Sequence, residues 1–259
     1  MTRLHWWESH EMNSNNMLDV TDPDTPIYRI FSKSRFLDLL RTRKNGLVNP
    51  AKWDDPFENF FLRASVTGPN GEVISISNLA KDWYGQCWTL HEDTDAMWRI
   101  YSPGTERDGI KVRTTIRKLF ESLYDDADSF AALKYVIGTV SYETEAEIAA
   151  FMSGVTFQDI AFGGQATPFA RLLCVKREAF AHEKEVRLLF QDLDPKRGAN
   201  GVALFDFDVN GICDDVVLDP RLTETEAAAL TDELKRAGCT LPIGRSPLYR
   251  VPAFSISLQ

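Results

Sequence analysis

An α+β fold, with a mixed or antiparallel central sheet and flanking helices, is what this sequence predicts, and three observations predict it. Short runs of β-branched and aromatic residues recur from Ile27 to Leu218. Amphipathic helical stretches fall between them without the regular alternation of a parallel α/β fold. The strands also outnumber what a helical bundle would need, and the chain has no internal repeat or low-complexity segment.

Each element has a local cause. Residues 1–25 are polar and Asn-rich and end in Asp22-Pro23-Asp24-Thr25-Pro26, which reads as a lead-in arm ahead of one α+β domain over residues 26–259. Ile27 to Phe31 alternates as a strand, with Tyr28 and Ile30 opposite Arg29 and Phe31. Ser34 reads as the cap of a helix carrying Phe36, Leu37, Leu39 and Leu40, with Gly46 as its stop. Trp53-Asp54-Asp55-Pro56-Phe57-Glu58 is a turn, because Asp bonds its own backbone and Pro presets the dihedral. Gly68-Pro69-Asn70-Gly71 marks a hairpin before Val73 to Ile76, and Tyr84 to Leu90 is the next strand, its Gln86 and Trp88 opposite Cys87 and Thr89.

Asp93 or Thr94 can cap a helix bearing Met97, Trp98 and Tyr101, closed by Pro103-Gly104. Gly109 to Arg113 alternates as a strand, Thr115 to Asp126 as an amphipathic helix, and Lys134 to Tyr142 as a strand with an apolar centre. Residues 143–177 are helical on balance, broken at Gly163-Gly164, and form the expected insertion or lid. Val202 to Phe207 and Val216 to Leu218 are strands, Thr223 to Ala237 is a capped helix ended by Gly238, and a last β segment runs from Tyr249 to Leu258.

Composition narrows the setting. A chain of 259 residues with 44% hydrophobic content can bury a real core. Its net charge of −9 argues against indiscriminate binding to nucleic acid or anionic membrane, while leaving room for a local basic groove. The apolar runs are too short to span a bilayer, so no membrane partner is expected. The amino terminus lacks the pattern of a secretory signal. Cys87, Cys174, Cys213 and Cys239 lie far apart with no Cys-x-x-Cys, so neither a zinc cluster nor a disulfide framework is expected and a reducing cytoplasm is the simplest home.

Chemistry concentrates in His182 to Phe190. Read as one strand, it puts Val186, Leu188 and Phe190 on an apolar face and Glu183, Glu185 and Arg187 on a charged one. Carboxylates that close raise each other's proton affinity unless a cation offsets them. Either Arg187 pairs them off, or they await a substrate.

Trp53-x-Asp55-Pro56-Phe57-Glu58, Met97-Trp98-x-x-Tyr101 followed by Gly109-Ile110, and Glu183-x-Glu185-x-Arg187 together resemble, in order and spacing, a large bacterial domain family of unknown function. That resemblance covers about residues 27–250. A looser one, carried by Tyr28-Arg29, Cys87-Trp88-Thr89 and Glu183-Lys184-Glu185-Val186 in that order, is to enzymes that transfer ADP-ribose from NAD. It implies a split central sheet, NAD as substrate, a macromolecular acceptor of protein or nucleic acid, and a toxin or defence effector held by an antitoxin or regulator. It further implies that Arg29, beside Tyr28, holds NAD phosphates or ribose, that Thr89 supports the cleft, that Glu185 bonds the nicotinamide ribose, and that Glu183 orients or activates the acceptor. Cys87 and Trp88 depart from the family's Ser-Thr-Ser strand, and Arg187 stands where an apolar residue is usual.

The physical chemistry of these side chains is compatible with that role. A fixed carboxylate stabilises the positive charge that builds on a ribose as its carbon-nitrogen bond breaks. Arginine offers a planar donor fork to pyrophosphate. Trp88 and Trp98 supply rings on which nicotinamide or adenine can stack. Two other readings stay open. Asp54, Asp55, Glu58, Glu183 and Glu185 are enough carboxylates for a magnesium-dependent nuclease or phosphodiesterase. The same charges also fit a structural ion network in a non-catalytic interaction or sensor domain. No metal is assigned in the favoured reading.

Overall fold

Strands and helices follow one another irregularly along the chain, as the periodicity predicts, and the sheets they form are mixed. The computed structural model describes residues 16–53, 65–67, 73–75, 81–105, 107–154, 167–192, 198–253 and 255. Asp54 to Glu58, the turn at 68–71 and Gly163-Gly164 therefore lie outside the described residues. Two compact units interleave in sequence, one of residues 1–25, 45–90 and 115–206, the other of residues 26–44, 91–114 and 207–259.

The first unit holds β1 (Met17–Leu18), β3 (Lys44–Val48), β6 (Trp83–Thr89), β8 (Tyr135–Thr139), β11 (Glu185–Gln191), β12 (Gly198–Ala199) and β13 (Val202–Asp206). Their order across the sheet is β1-β8-β11-β6-β3-β13-β12. β1 runs parallel to β8, while β11 is antiparallel to both β8 and β6. The last residues of the expected lead-in arm thus add a strand. Leu18 is buried, and the Asn16 side-chain amide donates to the Ala132 carbonyl at 3.1 Å. Outside this sheet, β4 (Ser65–Thr67) pairs antiparallel with β5 (Val73–Ser75). β9 (Ser141–Glu143) pairs in parallel with β10 (Val175–Arg177). The segment expected to be helical does contain helices, α5 (Glu145–Gly154) and α6 (Thr167–Leu172), but it ends in β10.

One face of this sheet is closed by a cluster of Leu18, Trp83, Val136, Phe169, Leu172 and Leu189, in which the Trp83 and Phe169 rings stack at 5.3 Å. The aromatics Tyr135, Phe190 and Phe205 form another packed row, with ring centroids 5.2 and 4.9 Å apart. Burying each such side chain contributes about 1.5–3 kcal/mol. α3 (Ile116–Leu123) is capped by the Thr115 hydroxyl and buries Ile116, Leu119, Phe120 and Leu123. It stops three residues earlier than its periodicity suggests, and the short α4 (Ala131–Lys134) follows it.

The second unit has the strand order β2 (Pro26–Phe31), β7 (Ile110–Thr115), β14 (Asp215–Leu218) and β15 (Ile243–Arg245), with β14 antiparallel to β7 and parallel to β15. Its helices are α1 (Lys33–Thr42), α2 (Asp95–Tyr101), α7 (Val209–Ile212) and α8 (Glu224–Arg236). Ser32, not Ser34, caps α1, and the helix ends on Arg43 in the left-handed conformation, before Gly46 is reached. α8 carries a complete capping box between Thr223 and Glu226. The expected strand from Tyr249 is absent over residues 249–253, where Pro252 lacks the amide a ladder needs and Val251 is 87% exposed.

Candidate active site

The charged stretch does not form one strand. Glu183 closes a 3-10 turn (Glu178–Glu183), Lys184 turns left-handed at φ 43°, and β11 starts only at Glu185. This reversal breaks the alternation that would have put Glu183 on the same strand face as Glu185 and Arg187. The Thr89 hydroxyl donates to the Glu183 carbonyl at 2.6 Å, and the Leu90 amide to the Lys184 carbonyl at 2.9 Å, which fixes the turn against β6.

Arg187 is fully buried in the middle of this sheet, paired across to Cys87 of β6 and Gly138 of β8. Two glycines make that possible. A Cβ at Gly138 would meet Leu18 Cβ at 2.9 Å and Cys174 Sγ at 3.2 Å, and one at Gly85 would meet Trp53 Cζ2 at 2.7 Å. With no side chains there, Trp53 and the backbone near Cys174 come down onto the guanidinium. The Trp53 ring lies 4.6 Å from Arg187 Cζ, and Arg187 Nη1 donates to the Leu173 carbonyl at 2.6 Å.

The neighbouring pair β9 and β10 completes the cluster. Tyr142 and Lys176 face each other in register, and both reach the start of β11. The Glu185 amide donates to the Tyr142 hydroxyl at 2.8 Å. Lys176 Nζ donates to Glu183 Oε2 at 2.8 Å and to Glu185 Oε1 at 2.7 Å, over the Phe180 ring at 4.6 Å. Arg187 Nε donates to Glu185 Oε2 at 2.7 Å. Two cations and two carboxyls thus meet in a space that water hardly enters, Glu185 being 4% exposed and Glu183 8%.

Their protonation separates. For Glu185, burial favours the neutral acid, but the Arg187 charge, the hydrogen bond with Glu183 and the Lys176 charge outweigh it and hold the group well below the usual carboxylate range. For Glu183, burial and the hydrogen bond from its side chain to the ionised Glu185 dominate over Lys176 and push it up to about 7. Burial also raises the Tyr142 phenol, and it pushes the Cys174 thiol up to about 12, which leaves it inert as a nucleophile.

The other expected site residues are distributed as follows. Thr89 belongs to the cluster through its bond to Glu183. Trp88 pairs with Val186, on the opposite face of β6 from Thr89 and Cys87, is 2% exposed, and gives its indole N–H to Gln86 at 2.9 Å. It is core and offers no ring face for stacking. Tyr28, Arg29 and Trp98 lie in the second unit. Trp98 is 1% exposed with its N–H on Asp93 at 2.6 Å, and Lys111 Nζ sits over the Tyr28 and Trp98 rings at 5.6 and 5.5 Å. The Arg29 guanidinium stacks over Phe31 at 5.2 Å. Sequence reasoning missed Lys176 and Tyr142: the signal for Lys176 was the alternation in Val175-Lys176-Arg177, hidden inside a stretch read as helical, while Tyr142 was read only as the end of a strand. A recess of about 320 Å³, lined by Ser141, Glu143, Cys174 and Val175 among others, borders β9 and β10 and includes neither Glu183 nor Glu185.

No protein-family model matches the chain, and no curated protein matches it. Among solved structures, the chain is similar to that of Thermus sp. 2.9 DarT in complex with NAD+, at 14% identity and a TM-score of 0.38 over 88% of this chain and 98% of that one. The same protein in complex with ADP-ribosylated ssDNA gives 13% identity and a TM-score of 0.40, over 87% and 95% of the two chains. Its complex with carba-NAD+ gives 15% and 0.36, over 86% and 96%.

Proposed function

We propose that this chain is an ADP-ribosyltransferase-like enzyme that breaks the nicotinamide-ribose bond of NAD and passes ADP-ribose to a macromolecular acceptor. The observation that carries the reading is a pair of carboxyl groups bridged by one buried lysine and driven apart in protonation, one kept ionised and the other poised near neutrality. Such divergence is how one site runs two roles with two like groups. In this reading the bond electrons leave with nicotinamide, and ionised Glu185 stabilises the cationic ribose left behind. Glu183 takes the proton of the acceptor nucleophile as it attacks the ribose carbon. Its side chain is the more open of the two, 11% exposed against 4%, as an acceptor-facing group requires. Arg187, Lys176 and Tyr142 hold the pair in place, and Thr89 fixes the turn.

The test uses NAD labelled in its adenylate phosphate, mixed with protein and nucleic-acid fractions of a cell extract. The wild type should label one fraction, which also identifies the acceptor class, while Glu183→Gln should release nicotinamide yet transfer at least 10²-fold more slowly. Absence of labelling by the wild type, or full transfer by Glu183→Gln, overturns the proposal.

One observation favours a second reading, a structural ion network in an interaction domain. Both Glu185 oxygens are already bonded, and the side chain is almost wholly buried. In that case substitutions in the cluster change stability and no chemistry. The magnesium nuclease reading fares worse, because the Lys176 ammonium occupies the place between the carboxylates that a cation would take, while Asp54, Asp55 and Glu58 lie outside the described residues.

A further inference from the structure

We propose that the second unit carries an anion site of its own, a recess that binds a phosphoryl group through Arg99 and Arg107. The proposal goes beyond the transferase reading and does not rest on it. The recess has a volume of about 480 Å³ and is lined by Arg99, Arg107, Arg221, Pro220 and Tyr249 with the loop at Gly104. Three guanidinium groups converge there in a chain whose net charge is −9.

Their bonding divides them. Arg221 is a wall: its Nε donates to Asp219 Oδ1 at 2.8 Å and its Nη2 to the Ser102 carbonyl at 2.8 Å, and the fully buried Asp219 neutralises it. Arg99 gives Nε to Asp95 at 2.7 Å and Nη2 to the Tyr249 hydroxyl at 3.1 Å, and that hydroxyl in turn bonds Asp95. These contacts fix the plane of the Arg99 fork.

Arg107 is different. Its Nη1 donates to the Arg221 carbonyl at 3.0 Å, it makes no close ion pair among the described residues, and the Glu226 carboxylate feels its charge only at longer range. Asp219 and Asp95 therefore pair directly with two of the three cations, while the third has only the more distant Glu226. The Arg107 backbone is left-handed, at φ 52°. That conformation costs an arginine about 1–3 kcal/mol, and an exposed residue gains little burial to offset it. What the conformation does achieve is to hold the guanidinium at the recess. Two planar donor forks, one of them without a directly bonded carboxylate, suit the tetrahedral oxygens of a phosphoryl group better than a halide or a neutral ligand.

The test is titration of the full chain with inorganic phosphate and, separately, with dimethyl phosphate, at low ionic strength where exposed charges are least screened. Saturable binding is expected, at least tenfold weaker in Arg107→Gln with the melting temperature unchanged, since that side chain is exposed. Phosphate bound in preference to the diester identifies a terminal phosphate as the ligand group, and comparable binding of both identifies a phosphodiester; either upholds the site. Glu185→Gln, which disables the transferase reading, should bind phosphate as the wild type does. No saturable binding of either anion by the wild type, or equal binding by Arg107→Gln, overturns the proposal, and so does loss of binding in Glu185→Gln.

Discussion

Replacing Glu183 by glutamine removes a buried carboxyl whose charge changes near neutrality, and the structure sets both the sign and the size of the effect. Burial raises this group from 4.5 to about 7, so the folded chain keeps a proton that the unfolded chain has released. Its contribution to stability is whole below pH 4.5, shrinks as pH rises toward 7, and is gone above that. At about 1.4 kcal/mol per pH unit the difference is worth about 3 kcal/mol for a fully enclosed group. With the side chain 11% exposed, about 2 kcal/mol is expected. Glu185 is shifted the other way, so its contribution is present above 4.5 and is lost only as pH falls below that, outside a window of pH 5–8. Urea unfolding of wild type and Glu183→Gln at intervals across that window, followed by tryptophan fluorescence, isolates the term, because every other titrating group is common to both. The stability of the wild type relative to the variant should fall by about 2 kcal/mol from the acid end to the alkaline end. A difference that stays constant across the window refutes the reasoning.

Three further outcomes follow from the same geometry. Lys176→Met leaves two buried carboxyls facing one guanidinium and should cost about 3–5 kcal/mol at pH 8, measured by urea unfolding. Gly85→Ala drives a Cβ into the Trp53 ring that covers Arg187, and should lower stability by about 1–3 kcal/mol and shift tryptophan emission to the red. Expression of the wild type in a bacterial host should arrest growth, and Glu185→Gln should restore it; equal growth arrest counts against the transferase reading.

Much of the fold was legible because its elements announce themselves locally. The Thr94 and Thr223 caps, the β6 alternation and the apolar half of β11 follow from residue type and spacing. The class, α+β with mixed sheets, follows from their irregular order. The site was half legible. Glu183, Glu185, Arg187 and Thr89 do come together, but Lys184 in the left-handed region was invisible to a period of two, since lysine is a poor marker for that conformation. Lys176 and Tyr142 reach the cluster through a parallel pairing of two short strands separated by more than thirty residues, and no local pattern encodes such a pairing. Trp88 shows the opposite error. Its ring looked available for stacking, whereas its place beside Val186 on the other face put it into the core.

The most direct measurement is single-turnover release of nicotinamide from NAD by wild type and Glu185→Gln, with urea unfolding of both as the control for folding. The wild type should release nicotinamide, and the variant, still folded, should do so at least 10²-fold more slowly. Release at the wild-type rate by folded Glu185→Gln, or none from the wild type, would contradict the transferase reading.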